Sequence, residues 1–181
     1  MTTKKQAAKK QVARSIDHRL IRHKAPFDKP LRASMKDISY DEAMIAIEAG
    51  IWKCRQLDIS CCLVVTDTHG SLVALARMDG ARHMTGSHAI GRAKVSGYFG
   101  MPAKDLAFIG EKTVLQDIDN YTLRGFTQGG MPLFRDGEVA GGIGCSGGHG
   151  KALLGIPDDE VASHAASVFN DRASRKRKSR P

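Results

Sequence analysis

Long apolar segments are missing from this sequence. No run approaches the ~20 apolar residues that a membrane-spanning helix needs. Residues 1–30 also lack the continuous apolar stretch of about seven to fifteen residues that a secretory signal contains. We therefore expect a soluble cytoplasmic protein with no membrane partner and no export.

Cysteine is scarce, and its spacing excludes the common cysteine motifs. The four cysteines, Cys54, Cys61, Cys62 and Cys145, contain no C-x-x-C pair. The adjacent Cys61 and Cys62 would point to opposite faces of a strand. These features predict buried free thiols in a reducing compartment.

Acidic residues outnumber basic ones in the centre of the chain, although the formal net charge is +9. Residues 37–170 carry −5, whereas residues 1–36 carry +9 and residues 171–181 carry +5. The basic charge belongs to the ends and indicates no basic groove on the fold. We predict a basic N-terminal extension (1–35), one domain (36–170) and a basic C-terminal tail (171–181), with both ends disordered and attracting nucleic acid only nonspecifically.

Helix signals occur at four places in the sequence. Ser39 and Glu42 form an S-x-x-E capping box, which predicts the start of the first helix. Apolar periodicity and flanking Gly and Pro residues predict the others over Thr85 to Phe99, from Pro102 to about Lys112, and from Pro157 onward.

Two β-hairpins are predicted where turn residues separate apolar runs. One turn follows Thr66, and the other is Asp136-Gly137. Pro132 cannot donate to a ladder, so its strand is expected at an edge. The segment after Gly125 allows two or three strands. Consecutive hairpins with clustered helices predict a single α/β (α+β) domain in which helices flank an antiparallel sheet.

The glycine-rich segment Gly142 to Gly148 matches two functional motifs by letter. The G-x-G-x-x-G motif needs a helix directly after it, and G-x-S-x-G needs the parallel sheet of a larger hydrolase, so neither function is predicted. Because glycine lacks a Cβ, the segment would allow a backbone or a ligand to approach closely, as on the floor of a pocket.

Single histidines are candidates for an axial haem ligand. None of the four candidates lies three or four residues from another, the spacing that a metal site on one helix face requires. One imidazole beside an apolar slot is enough to bind haem iron. The candidates are His69, His83, His88 and His149.

Charged residues near the end of the second predicted strand are candidates for binding a ligand carboxylate. Arg77 and Asp79 leave this strand, and Lys94 lies on the following helix. For a proton-transfer role the candidates are Asp79, His83 and Cys145.

Three segments share a joint pattern of order and spacing: Leu72 to Gly80, Ala93 to Pro102, and Gly129 to Gly148. The pattern resembles the GlcG/HbpS family, whose fold also forms the C-terminal domain of PduO-type proteins. The resemblance covers about residues 36–170, and the segment from His149 to Ile156 departs from it. It implies a five-stranded antiparallel sheet, profilin-like in outline, that assembles into homo-oligomers.

The resemblance also implies a set of pocket-side residues. They are Arg77, Asp79, Lys94, Gly129 and Gly130, whereas no histidine matches a family-wide haem ligand. Some family members bind haem or corrinoid-related ligands, and others are linked to the breakdown of small organic acids.

Two functions follow from this resemblance. The first is a cytoplasmic, oligomeric small-ligand-binding protein that holds haem, or a related planar acidic ligand, between the sheet and the helix that carries Lys94. Arg77 and Lys94 would then face the ligand carboxylates. The alternative is an enzyme of isomerase, lyase or hydrolase type, acting on a small carboxylate or oxoacid in organic acid or aromatic breakdown.

Overall fold

The computed structural model describes residues 36–107, 125–148 and 156–178. Along the chain these residues form α1 (Tyr40–Gln56), β1 (Cys62–Thr66), β2 (Leu72–Arg77), α2 (Thr85–Phe99), a short 3-10 helix (Ala103–Leu106), β3 (Gly130–Arg135), β4 (Glu138–Ser146) and α3 (Ile156–Lys178). None of these helices combines the length and the apolar character needed to cross a membrane.

The strands form one antiparallel sheet in the order β2-β1-β4-β3. The predicted hairpins are β1–β2 and β3–β4, and pairing of β1 with β4 joins them. Pro132 lies on edge strand β3, as predicted. The expectation of five strands was wrong for the described residues, because every described segment outside the two hairpins has helical, turn or coil backbone.

Helix α1 begins at the predicted capping box. The Ser39 hydroxyl accepts a hydrogen bond from the Glu42 N–H, and the Glu42 carboxylate accepts one from the Ser39 N–H at 3.0 Å. The buried side chains of the helix recur at three- and four-residue spacing and include Ile47 and Cys54. This stripe packs into the core and fixes the helix on one face of the sheet.

The main core lies on the face of the sheet that α1 and α3 cover. Leu63 and Val65 of β1, and Ile143 of β4, project to this face and are fully buried. Phe169 contributes the largest buried side chain from α3. Burying each of these side chains stabilises the fold by roughly 1.5–3 kcal/mol.

Helix α2 packs against the opposite face, mainly over β4 and β1. A Cβ at Gly142 or Gly144 would overlap carbonyl oxygens of the helix, those of Ala93 and Ala89 respectively. On the helix, a Cβ at Gly97 would lie 2.8 Å from the Gly142 nitrogen. The glycine-rich segment therefore brings a helix backbone onto the sheet and does not form the pocket floor that we predicted.

The last helix starts where predicted and ends later. Pro157 lies in the first turn of α3, followed by Asp158 and Asp159 near its positive end. The helix continues past residue 170 to Lys178, so the expectation of disorder was wrong for residues 171–178. Ala173 packs, partly buried, against the main core and gives the extension a contact that charge alone did not indicate.

Several predictions lie outside the described residues. They include the disordered extension over residues 1–35, the helix end near Lys112 and the last residues of the C-terminal tail, 179–181. Before that end, the described chain forms a 3-10 turn over Ala103–Leu106, and Ala107, the last described residue of this segment, has helical backbone.

Candidate functional site

Edge strand β2 exposes apolar side chains on the face of the sheet that carries α2. Helix α2 packs over β4, β1 and β3 and leaves β2 largely uncovered. Leu72 and Leu75 are therefore 54% and 46% exposed. Neighbouring exposed leucines on one edge of a sheet indicate a surface that an apolar ligand or a partner can cover.

The strand register places these leucines and Arg77 on one face. Cross-strand partners of an antiparallel pair project to the same face, and here the partners on β1 face α2. The pairs are Arg77 with Cys62, Leu75 with Val64, and Leu72 with Thr66. An irregularity after Val65 brings Leu72 into this row.

One row of α2 borders this surface at four-residue spacing. A Cβ at Gly86 would lie 3.9 Å from the Cys62 Sγ, and Ile90 packs partly buried against the same cluster. The Lys94 stem lies against the β1–β2 turn, with its Cγ 3.4 Å from the Cβ position of Gly70. We name this surface the β2 shelf and define it by Leu72, Leu75, Arg77, Gly86, Ile90 and Lys94.

The loop after β2 lies at one end of the shelf. Arg77 Nη1 donates to the Ala81 carbonyl at 2.9 Å, and the Ala81 N–H donates to the Met78 carbonyl at 3.1 Å. The loop so held leaves His83 exposed and Met84 59% exposed. An imidazole and a thioether are both axial ligands of haem iron in proteins.

The β1–β2 turn lies at the other end. His69 Nδ1 lies 3.1 Å from the Thr68 Oγ1 and 3.7 Å from the Asp37 Oδ1. The Thr68 hydroxyl also donates to the Asp37 carboxylate, and this bond holds the pKa of Asp37 below its ordinary value. His69 therefore lies beside an anion, at the end of the shelf where Lys94 is found.

Arg77 and Lys94 lie at opposite ends of the shelf. The Lys94 stem packs on the turn before Leu72, and Arg77 ends the strand. At about 3.3 Å per residue, roughly 17 Å of strand separates these ends. The two cations border an apolar strip and do not clamp a single carboxylate. The expected pocket between α2 and the sheet is closed over β4 by the helix backbone.

The three predicted proton-transfer residues are not brought together. Asp79 and His83 are exposed in the loop after β2, whereas Cys145 is buried on the other face of the sheet. General acid-base chemistry requires these groups within hydrogen-bonding reach of one substrate. Of the remaining histidines, His88 is half-buried on α2 and His149 lies outside the described residues.

Gly129 and Gly130 are packing positions at the start of β3, the edge strand opposite β2. Gly129 has a φ of +99°, and a Cβ there would lie 2.6 Å from the Cys145 carbonyl oxygen. A Cβ at Gly130 would lie 2.7 Å from the Ser96 Oγ of α2. Both glycines therefore allow close approach of chain segments away from the shelf.

A buried ion pair that sequence reasoning missed lies at the start of α3. Arg92 Nη1 is 2.7 Å from Asp158 Oδ2, and the two side chains are 11% and 1% exposed. Arg92 also donates to the Cys145 carbonyl and, through Nε at 3.0 Å, to the Thr127 hydroxyl. The Gly148 N–H donates to Asp158 Oδ1 at 2.7 Å. The signal in the sequence was an arginine in phase with the apolar stripe of α2.

Three thiols that are distant in sequence meet in the main core. The Sγ atoms of Cys54, Cys61 and Cys145 all lie within 4.8 Å of one another. The four cysteines are buried and free, as predicted, and Cys62 faces α2 instead. Hydrogen bonds from Cys145 and Cys61 hold the pKa of Cys54 below its ordinary value, whereas burial raises the pKa of Cys145. Sequence spacing gave no sign of the cluster, because strand pairing creates it.

Residues 38–166 match the family model described as "Haem degrading protein HbpS-like". The chain belongs to the HbpS-like family. The resemblance stated from the sequence motifs is thereby confirmed. No curated protein matches the chain.

Solved structures share the fold of this HbpS-like region. A double mutant of HbpS from Streptomyces reticuli is 25% identical, with a TM-score of 0.65 over 77% of this chain and 96% of that one. The protein of the "PduOC:Heme Complex" is 23% identical, with a TM-score of 0.61 over 74% of this chain and 96% of its own. Klebsiella pneumoniae protein ORFY is 19% identical, with a TM-score of 0.65 over 78% and 96%.

Proposed function

We propose that the chain binds haem on the β2 shelf, where the His83 imidazole would hold the iron. The observation that carries the proposal is the pair of half-exposed leucines, Leu72 and Leu75, on an edge strand that α2 leaves uncovered. A porphyrin presents a planar apolar face, and covering these leucines contributes about 25 cal/mol for each Å² of apolar surface removed from water.

The charged groups at the end of the shelf suit the acidic edge of haem. Arg77 is exposed at the end of β2. A guanidinium has several N–H donors, so Arg77 can bind a propionate while Nη1 keeps its bond to the Ala81 carbonyl. The shelf thus has an apolar strip with a cation at one end, and haem has a planar ring with carboxylates at one edge.

His83 is a better candidate for the iron ligand than His69. The His69 ring lies beside Thr68 and the Asp37 carboxylate, which favour its present position at the turn. His83 is exposed beside Met84, in a loop whose backbone bonds fix its path. The proposed site therefore uses the end of the shelf that carries Arg77.

A groove on the opposite edge of the sheet suits an acidic ligand less well. A groove of about 450 Å³ lies along edge strand β3, between α3 and the segment after α2. Its described lining contains no lysine, arginine or histidine and includes Asp171, which would repel propionates.

The comparisons support haem as the ligand class. The family description names haem degradation, and the PduOC relative was solved as a heme complex. Bound haem would supply a redox-active iron. The residues of the β2 shelf would bind and orient the ring, and no degradation step is derived from them.

Haemin titration of the full chain tests the proposal. A saturable change in the haem absorption spectrum is expected for the wild type. His83→Ala should remove the spectral signature of the axial imidazole, and Leu75→Asp should weaken binding about tenfold or more, equivalent to about 1.4 kcal/mol. His164→Ala is the matched control, because this ring stacks on Trp52 at 5.2 Å on the α1–α3 side of the sheet.

The variants also separate the two ends of the shelf. Haem binding that is unchanged in both His83→Ala and Leu75→Asp would contradict the proposed site. Loss of the axial signature in His69→Ala, with His83→Ala unchanged, would move the iron ligand to the β1–β2 turn.

Homo-oligomerisation and a cytoplasmic location remain predictions that belong to this proposal. Sedimentation of wild type and Leu75→Asp, each with and without haemin, tests whether the same strip mediates self-association. The enzyme alternative also remains a prediction. Turnover of a small oxoacid that is abolished by Asp79→Asn would favour it.

A further inference from the structure

The cysteine cluster has the composition of a metal site, on the opposite side of the sheet from the β2 shelf. Its sulfur atoms come from α1 (Cys54), from the residue before β1 (Cys61) and from β4 (Cys145), and they lie within 4.8 Å of one another. All three side chains are fully buried. The fold therefore holds three soft donors together on elements that are far apart in sequence.

A carboxylate lies next to one of the three sulfurs. Asp158 Oδ1 lies 3.9 Å from the Cys61 Sγ, and the Asp158 side chain is 1% exposed. Arg92 and the Gly148 N–H hold this carboxylate in place. Conserving the orientation of a ligand through such outer contacts is the usual arrangement around protein metal ions.

We propose that Cys54, Cys61 and Cys145 bind one Zn²⁺ ion, with Asp158 as the fourth donor. Three sulfurs and one oxygen form a tetrahedral set of the kind that selects zinc over magnesium or calcium. This inference is independent of haem binding, because it uses no residue of the β2 shelf.

The distances between the three sulfur atoms are close to those that the ion requires. With Zn–S bonds of about 2.3 Å, tetrahedral sulfurs lie about 3.8 Å apart, so each sulfur needs to move by no more than about 1 Å. The 3.9 Å between Cys61 Sγ and Asp158 Oδ1 matches the edge of such a tetrahedron to within about 0.5 Å. The carboxylate is not within 4.8 Å of all three sulfurs, so its side chain would move toward the cluster on binding.

The charges around the cluster also favour a dication. Binding converts the thiols to thiolates with release of their protons. Zn²⁺ and the Arg92 guanidinium together offset most of the charge of three thiolates and one carboxylate. Without a cation, the same four groups cannot all be ionised in a site this deeply buried.

Co²⁺ is a spectroscopic probe for this site. We expect metal-free full-length chain, kept reduced, to bind one equivalent of Co²⁺ with thiolate-to-metal charge-transfer absorption and tetrahedral d–d bands. Zn²⁺ should displace the Co²⁺. The absorption excludes surface histidines as the site, because imidazole ligands give no thiolate charge transfer.

Cys145→Ala and Cys54→Ala should weaken Co²⁺ binding by at least about 100-fold, since loss of outer contacts alone costs 10- to 100-fold. Cys62→Ala is the matched control: it removes an adjacent buried thiol that faces α2, and it should bind Co²⁺ as the wild type does. Asp158→Asn should alter the d–d bands and keep the charge-transfer absorption. If an alanine variant does not fold, the wild-type spectrum still decides whether thiolates bind the metal, through the presence or absence of charge-transfer absorption.

Three results would overturn the proposal. The first is a reduced wild-type chain that binds neither Co²⁺ nor Zn²⁺. The second is binding that Cys62→Ala abolishes to the same degree as Cys145→Ala. The third is binding of Cu⁺ alone, because a site selective for Cu⁺ would not use the Asp158 oxygen as a fourth ligand.

Discussion

The Arg92 guanidinium, 2.7 Å from the Asp158 carboxylate, joins two helices that lie on opposite faces of the sheet. Both groups are largely removed from water, and further hydrogen bonds engage Arg92 Nε and Asp158 Oδ1. The pair therefore fixes the start of α3 relative to α2. Its removal from one side would leave a buried charge without a partner.

We expect Arg92→Met to lower the free energy of unfolding by about 3–5 kcal/mol, as measured by urea denaturation. Asp158→Asn in the same chain should recover part of this loss, because it removes the unpaired charge and keeps an oxygen for the Gly148 N–H. Lys104→Met is the control: its ion pair with Asp159 is 44% exposed on the lysine side, and its loss should cost no more than about 1 kcal/mol. Equal effects of Arg92→Met and Lys104→Met would contradict the role of burial.

Two glycines next to α2 should respond to alanine in opposite directions. A Cβ at Gly144 would overlap the Ala89 carbonyl, so Gly144→Ala should displace the helix and lower the unfolding temperature. A Cβ at Gly86 has only the Cys62 Sγ nearby, at 3.9 Å. Gly86→Ala should therefore stabilise the chain by about 0.5–1 kcal/mol through helix propensity. Differential scanning calorimetry of both variants checks the signs, and stabilisation by Gly144→Ala would refute the close packing described above.

Local signals explain why most elements of the fold were predictable. The capping box at Ser39 and the turn at Asp136-Gly137 act within a few residues, so the sequence shows them directly. The pairing of β1 with β4 and the cysteine cluster depend on contacts between distant segments, and no local pattern records them. The predicted number of strands was wrong for a related reason. The residues after Gly125 allowed two or three strands, and the resemblance favoured the larger number.

The candidate site was predicted in parts but not as an arrangement. Arg77, Lys94 and His83 were all identified, yet a sequence does not show that α2 leaves β2 uncovered and keeps the two cations apart. Leu72 and Leu75 lie in the second predicted strand. The sequence alone does not show that no helix covers this strand, so it did not indicate that the two leucines are exposed. Gly129 and Gly130 matched the family pattern, and in this chain they lie in close backbone contacts away from the shelf.

The free energy of unfolding should fall at acid pH, in part because the Glu42 carboxylate becomes protonated. Burial raises the pKa of Glu42, but the Ser39 N–H and the Arg135 guanidinium outweigh it and hold the pKa below the ordinary value of 4.5. A lowered pKa in the folded state contributes stability above pH of about 4.5, and this contribution is lost as the pH falls through the folded-state pKa.

We expect Glu42→Gln to be less stable than the wild type by about 1 kcal/mol at neutral pH, with the difference shrinking below pH of about 4. Free energies of unfolding measured across this pH range test the sign. Glu48→Gln, on the exposed side of α1, is the matched control for removing one carboxylate from this helix. A difference that grows toward acid pH would contradict the lowered pKa.

The basic end of α3 should give weak, salt-sensitive binding to polyanions. Arg175, Lys176, Arg177 and Lys178 follow one another at the end of this helix, next to an acidic domain. Deleting the segment from residue 171 would also remove Ala173 from the core, so charge-neutral glutamine substitutions at these four positions test the charge without that loss. We expect the wild type to bind DNA of any sequence at low salt, with affinity falling linearly on a log–log plot against salt and a shallower slope in the substituted chain. If the slope of log affinity against log salt concentration is unchanged after substitution, another part of the chain binds the DNA. A shallower slope with an unchanged unfolding temperature would identify the end of the helix as the nonspecific contact.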